Sequence, residues 1–138
     1  METVVNYRGG VQFEVNTRGH QVICDQPADN GGADAGITPP EFLLASLGTC
    51  AAFYAAQYLR TRSLPTDGLE VRVSAEKAQA PARLGSFQIE IRVPGLADEK
   101  HQAGVMRAAK SCLIHNTLMQ PPTIEMTLNT ETAGRAGR

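Results

Sequence analysis

Thr38-Pro39-Pro40-Glu41, continuing as Phe-Leu-Leu-Ala-Ser-Leu-Gly-Thr-Cys-Ala-Ala-Phe-Tyr-Ala-Ala-Gln-Tyr-Leu-Arg-Thr-Arg62, is the stretch on which the architecture turns. A threonine hydroxyl, a proline at the first helical position and a glutamate three residues past the cap make a capping box ahead of an apolar run. They predict a helix from Pro39 to about Arg62, stopped before Pro65. About 24 residues at a rise of 1.5 Å each span roughly 36 Å, the width of a whole small domain. A helix that long must be buried against more than its own subunit's sheet, which points to a dimer. Residues three and four apart share a helix face, so Cys50 lies with Leu43, Leu47 and Tyr54 on what reads as the inward stripe.

Upstream of the helix, Val4 and Val5, then Val11, Phe13 and Val15 alternating with Gln12, Glu14 and Asn16, then Val22 and Ile23 read as three strands. Gly9-Gly10 and Arg18-Gly19 mark the turns of an antiparallel meander. Ala28 to Gly36 is small and polar, and is expected to be a flexible loop because it buries too little to order itself. Downstream, Leu69 to Ala78 and Leu84 to Val93 alternate apolar with polar residues and predict a hairpin with one wet face. Asp98 to Ser111 reads as a second, more polar helix with Ala97, Val105, Ala108 and Ala109 inward, continued after a break by Cys112 to Met119. Ile124, Met126 and Leu128 predict a last strand. This order gives an α+β fold, because antiparallel neighbours need no crossover helices.

The chain has 138 residues, read as one domain over residues 1–130 with a flexible C-terminal tail over residues 131–138. Thirteen Lys and Arg against fourteen Asp and Glu give a net charge of −1, so no basic excess exists to neutralise nucleic acid or an anionic membrane surface. The apolar run from Phe42 to Leu59 is interrupted by Ser46, Gly48, Thr49, Gln57 and Tyr58, short of the roughly 18 uninterrupted apolar residues of a membrane span. The first residues lack the basic and apolar regions of a secretory signal. A cytoplasmic protein is therefore expected, one that engages neither nucleic acid nor membrane. No phosphate-cradling loop, nucleophile elbow or H-E-x-x-H motif is present, and the residues call for no cofactor or metal.

Three cysteines are too few for a disulfide scaffold, and in the cytoplasm they stay reduced. Cys50 reads either as a core cysteine or as a reactive thiol; three turns into its helix, it gains little from the helix N-terminus. Cys112 and His115 form a C-x-x-H pair, able to supply half a zinc site or to pair a thiol with a base. The alternative is a helix end capped by Asn116 and Thr117, with His115 in solvent. Cys24 reads as structural on its strand, and His20 and His101 as solvated.

Taken together, Gly36-Ile-Thr-Pro-Pro-Glu-Phe-Leu-Leu-Ala-Ser-Leu-Gly-Thr-Cys50 and, about sixty residues later, Cys112-Leu-Ile-His-Asn-Thr-Leu118 closely resemble the two cysteine motifs of the OsmC/Ohr family. These are the osmotically inducible and organic hydroperoxide resistance proteins, and Gly19 to Pro27 with Gly31-Gly32 resembles their N-terminal sheet and loop. The resemblance implies an α+β subunit intertwined with a second copy into a homodimer, the cysteine-bearing helices at its centre. It also implies that Cys50 attacks an organic hydroperoxide to become a sulfenic acid, that Cys112 resolves this to a disulfide, and that an external thiol restores both. Peroxidase members hold the thiolate with an arginine paired to a glutamate ten residues before the first cysteine. Here that glutamate position is Pro40, and Glu41, nine residues before Cys50 and so half a turn out of phase at about 100° per residue, is explained by the capping box. Arg18 is taken as the activating cation, with Arg8 as the other candidate. The rival readings are a non-catalytic dimer that binds a small apolar ligand beside Cys50, and a metal site built from Cys50, Cys112 and His115.

Overall fold

The computed structural model describes residues 1–132. Its first three strands, β1 (Val4–Gly9), β2 (Gln12–Thr17) and β3 (His20–Cys24), form the expected antiparallel meander in the order β1-β2-β3. The register sets Val5 opposite Val15, Val15 opposite Val22, Tyr7 opposite Phe13 and Phe13 opposite Cys24. Because side chains alternate across a strand, these residues share one apolar face. The chain's own helices do not cover it: the sheet makes no substantial contact with them, and Val5, Tyr7 and Val22 are exposed.

The segment after β3 is ordered, contrary to the expectation of a loop without structure. Asp25, 1% exposed, supplies the reason. Its carboxylate accepts hydrogen bonds from the backbone N–H groups of Gln26 (2.7 Å), Ala33 (3.2 Å) and Ala35 (3.1 Å) and from Gln12 Nε2 (3.2 Å). One buried acceptor thus satisfies the backbone of a segment with no apolar core. These backbone N–H groups hold its carboxyl below the usual aspartate range. A side chain at Gly32 would collide with the Gln26 carbonyl, and one at Gly36 with that of Ile23.

Helix α1 spans Pro39–Thr61 and begins with the expected capping box, Glu41 Oε1 accepting from Thr38 N–H (2.9 Å) and Thr38 Oγ1 (2.7 Å). Strands β4 (Glu70–Ala78) and β5 (Arg83–Arg92) form the hairpin, with Val71 opposite Ile91 and Val73 opposite Ile89. Helix α2 (Glu99–Lys110), capped by the Asp98 carboxylate, and helix α3 (Leu113–Met119) complete the described elements. The core lies between α1, the hairpin and α2: Ala55, Leu59 and Val105 are buried, with Tyr58, Leu64 and Ile91 packed on them. Gly48 lets Val73 approach α1, and Gly104 lets the Tyr58 ring lie against α2.

Three expectations need correction. The buried face of α1 is Leu47, Ala51, Ala55 and Leu59, one residue out of step with the stripe of Leu43, Leu47, Cys50 and Tyr54; Leu43 is exposed, while Cys50 and Tyr54 are half-buried. The hairpin and α2 select that face, and the apolar residues all round α1 gave no narrow stripe to predict it. Ala97 is likewise exposed, and Gly104 joins Val105 and Ala109 on the inner side of α2. Ile124, Met126 and Leu128 form no strand; they are 82%, 92% and 89% exposed along an extended run. A strand needs a partner strand, and this segment pairs with no edge of either sheet. Helix α1 also reaches a mean hydropathy of 1.4 over a span-length window, interruptions notwithstanding, and packing against the hairpin and α2 buries only 28% of that window. Of the expected flexible tail, residues 133–138 lie outside the described residues.

Candidate active site

Cys50 sits in the fourth turn of α1, half-buried, and Cys112 lies at the junction of α2 and α3 with 0% exposure. The backbone stops being helical at Ser111 and turns, so Cys112 becomes the N-cap of α3, its Sγ accepting from the His115 N–H at 3.4 Å. That placement brings the Cys112 thiol close enough to Cys50 for the two to affect each other's ionisation. Both cysteines are free thiols, as is buried Cys24 on β3.

Burial, followed by the neighbouring Cys50 thiol, pushes the Cys112 thiol above its usual range, outweighing the His115 and Ile114 N–H groups that favour its thiolate. Near neutral pH Cys112 is therefore a protonated, inaccessible thiol, and Cys50 is the member of the pair that solution reagents reach first. The pair has the geometry for one sulfur to be oxidised and the other to condense with it.

The expected cations separate clearly. Arg8 is committed to Glu14 in an ion pair at 2.5 Å across β1 and β2, whereas Arg18, in the β2–β3 turn at φ 48°, makes no ion pair among the described residues. Arg18 lies on the sheet that stands off α1, so this chain does not itself bring it to the thiol pair. Glu41 belongs to the helix cap, and the Thr38 groups that donate to it hold its carboxyl below the usual range. Among the described residues no three His, Cys, Asp or Glu side chains are arranged to hold a metal ion, so Cys50, Cys112 and His115 do not form a ligand set.

Between α1, β5 and α2 is a mostly apolar crevice of about 220 Å³, lined by neighbours of the two cysteines in sequence but by neither cysteine itself. Leu47 and Ala51, which flank Cys50 on α1, form one wall, Phe87 and Ile89 of β5 another, and Met106 and His115 close it. His115 is half-buried rather than solvated, and Cys112, not Asn116 or Thr117, caps the helix. The His115 Nδ1 is buried and has no hydrogen-bond partner.

Two polar features escaped the sequence reading. Asp25 was one; the signal for it was an acid placed directly before a small, glycine-rich stretch, where aspartate commonly bonds nearby backbone. His101 was the other: its Nδ1 shares a hydrogen bond with Tyr58 Oη at 3.0 Å, and Arg62 stacks over the Tyr58 ring at 3.7 Å. Gly104 was the available signal, since a glycine inside a helical pattern often marks a close approach.

Comparison with known proteins places this geometry in context. A family model described as OsmC-like protein matches residues 31–127, a segment containing both Cys50 and Cys112. Among solved structures, one from Psychrobacter arcticus 273-4, named for osmotic stress induction and a detoxification response, is 23% identical with a TM-score of 0.75, over 83% of this chain and 85% of its own. An OsmC-like protein from Mycoplasma pneumoniae is 20% identical with a TM-score of 0.66, over 87% and 86%. An organic hydroperoxide resistance protein from Legionella pneumophila is 15% identical with a TM-score of 0.58, over 86% and 89%. At these identities the structural likeness establishes the shared α+β fold. No curated protein matches the sequence.

Proposed function

Because the chain belongs to the OsmC-like protein family, we propose that it is a thiol-dependent peroxidase that reduces organic hydroperoxides in defence against oxidative stress. The observation that carries this reading is the closeness of Cys50 and Cys112, two thiols about sixty residues apart. The Cys50 thiolate attacks the terminal oxygen of ROOH, breaking the O–O bond; an alcohol leaves and Cys50 becomes a sulfenic acid. The Cys112 sulfur then attacks the Cys50 sulfur, water departs, and an external thiol reduces the disulfide. A sulfenic acid stays reversible only if a second thiol meets it promptly, and Cys112 is already adjacent. The apolar crevice favours alkyl or lipid hydroperoxides over hydrogen peroxide.

The working unit is a cytoplasmic homodimer. Its support is the uncovered apolar face of β1 to β3 together with the unpaired segment around Ile124, Met126 and Leu128, both of which a second copy can cover. Arg18 is assigned the task of stabilising the Cys50 thiolate, and the dimer is what brings a β2–β3 turn to α1.

The test is mass spectrometry after one equivalent of cumene hydroperoxide. Wild-type protein loses two hydrogens, Cys112→Ser stops at the sulfenic acid after one turnover, and Cys50→Ser consumes no peroxide. Equal consumption by wild type and Cys50→Ser overturns the reading. The crevice also supports a second one, a dimer that holds a small apolar ligand without chemistry; it predicts slow alkylation of Cys50 at neutral pH and no disulfide after peroxide.

A further inference from the structure

Cys112 holds two posts at once. It is the buried neighbour of Cys50, and it is also the residue on which α3 begins: its backbone is non-helical and its Sγ accepts from the His115 N–H at 3.4 Å. The first N–H groups of a helix have no partner inside it, so the N-cap side chain supplies one. Here that side chain ends in a sulfur that also faces a second thiol. Helix α3 has little else to hold it. It is seven residues long, none of them buried, and packs substantially only on α1; helices this short do not persist in water without tertiary support. Beyond it, Pro121 and Pro122 lead into the exposed run of Ile124, Met126 and Leu128, which joins neither sheet.

We propose that the Cys50–Cys112 pair is a redox switch for the order of α3: reduced, Cys112 caps the helix, and joined to Cys50 it gives up the cap and α3 frays. The inference rests on the two-cysteine reading and extends it from chemistry to conformation. Forming the disulfide takes two electrons and two protons from the thiols; the hydroperoxide receives them and is reduced to an alcohol and water. The new bond ties Cys112 Sγ to α1, an element other than the one whose N–H groups it served, and leaves a sulfur with no ionised form to offer them. An external thiol breaks the bond, is itself oxidised to a disulfide, and restores the cap. Coupling of this kind is reciprocal, so a firmer start to α3 in the reduced protein opposes oxidation of the pair. The segment released is the one that leads into Ile124, Met126 and Leu128, so the redox state of the pair also sets how firmly that apolar run is anchored to the core.

The switch is separated from peroxide chemistry by oxidising the protein with diamide, which takes two hydrogens from a dithiol, and reading amide hydrogen exchange by mass spectrometry on peptides covering residues 113–119. Oxidised wild-type protein is expected to exchange there about fivefold faster than reduced protein, the effect of losing an ordinary N-cap. Peptides of α1 around Cys50 should be unchanged, which tells uncapping from general loosening. Cys112→Ala cannot cap, and should exchange over residues 113–119 like the oxidised protein with or without diamide. Cys112→Ser carries a hydroxyl that caps well, and should stay protected in both conditions. Equal exchange over residues 113–119 in reduced and oxidised wild-type protein overturns the proposal. So does a Cys112→Ala variant, folded by circular dichroism, that keeps the protection of the reduced wild type, and so does failure of diamide to join Cys50 to Cys112. If α3 responds to diamide while cumene hydroperoxide leaves both thiols reduced, the switch stands and the peroxidase reading falls.

Discussion

Individual side chains divide the labour of the site by depth. Cys50 is half-buried and Cys112 fully buried, so an alkylating reagent at neutral pH should modify Cys50 well before Cys112, as peptide mapping would show. Arg18→Ala should slow that modification several-fold if a cation stabilises the Cys50 thiolate, whereas Arg8→Ala, removing a partner of Glu14, should leave it unchanged. Asp25 gives a pH prediction. Its carboxyl titrates below the ordinary aspartate value of about 3.9, so the ionised form is the one favoured by folding. Its contribution is complete above that value and is lost as pH falls through the lowered one. Amide hydrogen exchange at Ala33 and Ala35 should therefore stay protected at pH 5 and open progressively below about pH 4, and Asp25→Asn should open the loop at every pH. The cysteine pair was legible from the sequence because its flanking residues resemble family motifs. Asp25 was signalled only by its place ahead of a glycine-rich stretch, because its partners Ala33 and Ala35 contribute only backbone N–H groups that do not identify themselves in the sequence.

At the scale of elements, the chain shows which boundaries local chemistry sets. Helix α1 starts where Thr38, Pro39 and Glu41 require it to start, and Thr38→Ala should cost about 1 kcal/mol in urea denaturation. The hairpin follows its period-two pattern with one wet face. The inward face of α1 is a different matter: alanines and leucines lie on every side of this helix, and the packed face was fixed by Val105, Leu64 and Ile91 meeting Ala55, Leu59 and Tyr58. Leu59→Ala should accordingly destabilise the fold by about 2–5 kcal/mol. Gly104→Ala would drive a methyl group into the Tyr58 ring and displace it from His101; a loss of about 1–3 kcal/mol in thermal or chemical denaturation is expected.

As a whole molecule, the chain folds around one core yet leaves a sheet face and an alternating apolar segment uncovered. A homodimer that covers both should sediment at twice 14.8 kDa, and its melting temperature should rise with protein concentration. Truncation after Gln120 should convert it to monomer or aggregate; a truncated chain that remains a stable dimer would remove the C-terminal segment from the interface. The sequence by itself determined the α+β order of elements, the capped helix and its cysteine, because periodicity, capping and turn residues act between neighbours in the chain. Only the tertiary structure decided which helix face is buried, that Asp25 orders the loop, that Ile124 to Leu128 pairs with no strand of its own subunit, and that the Cys50 and Cys112 thiols lie close together. Each of these depends on atoms far apart along the polypeptide, and the geometry that joins them does not exist until the core has packed.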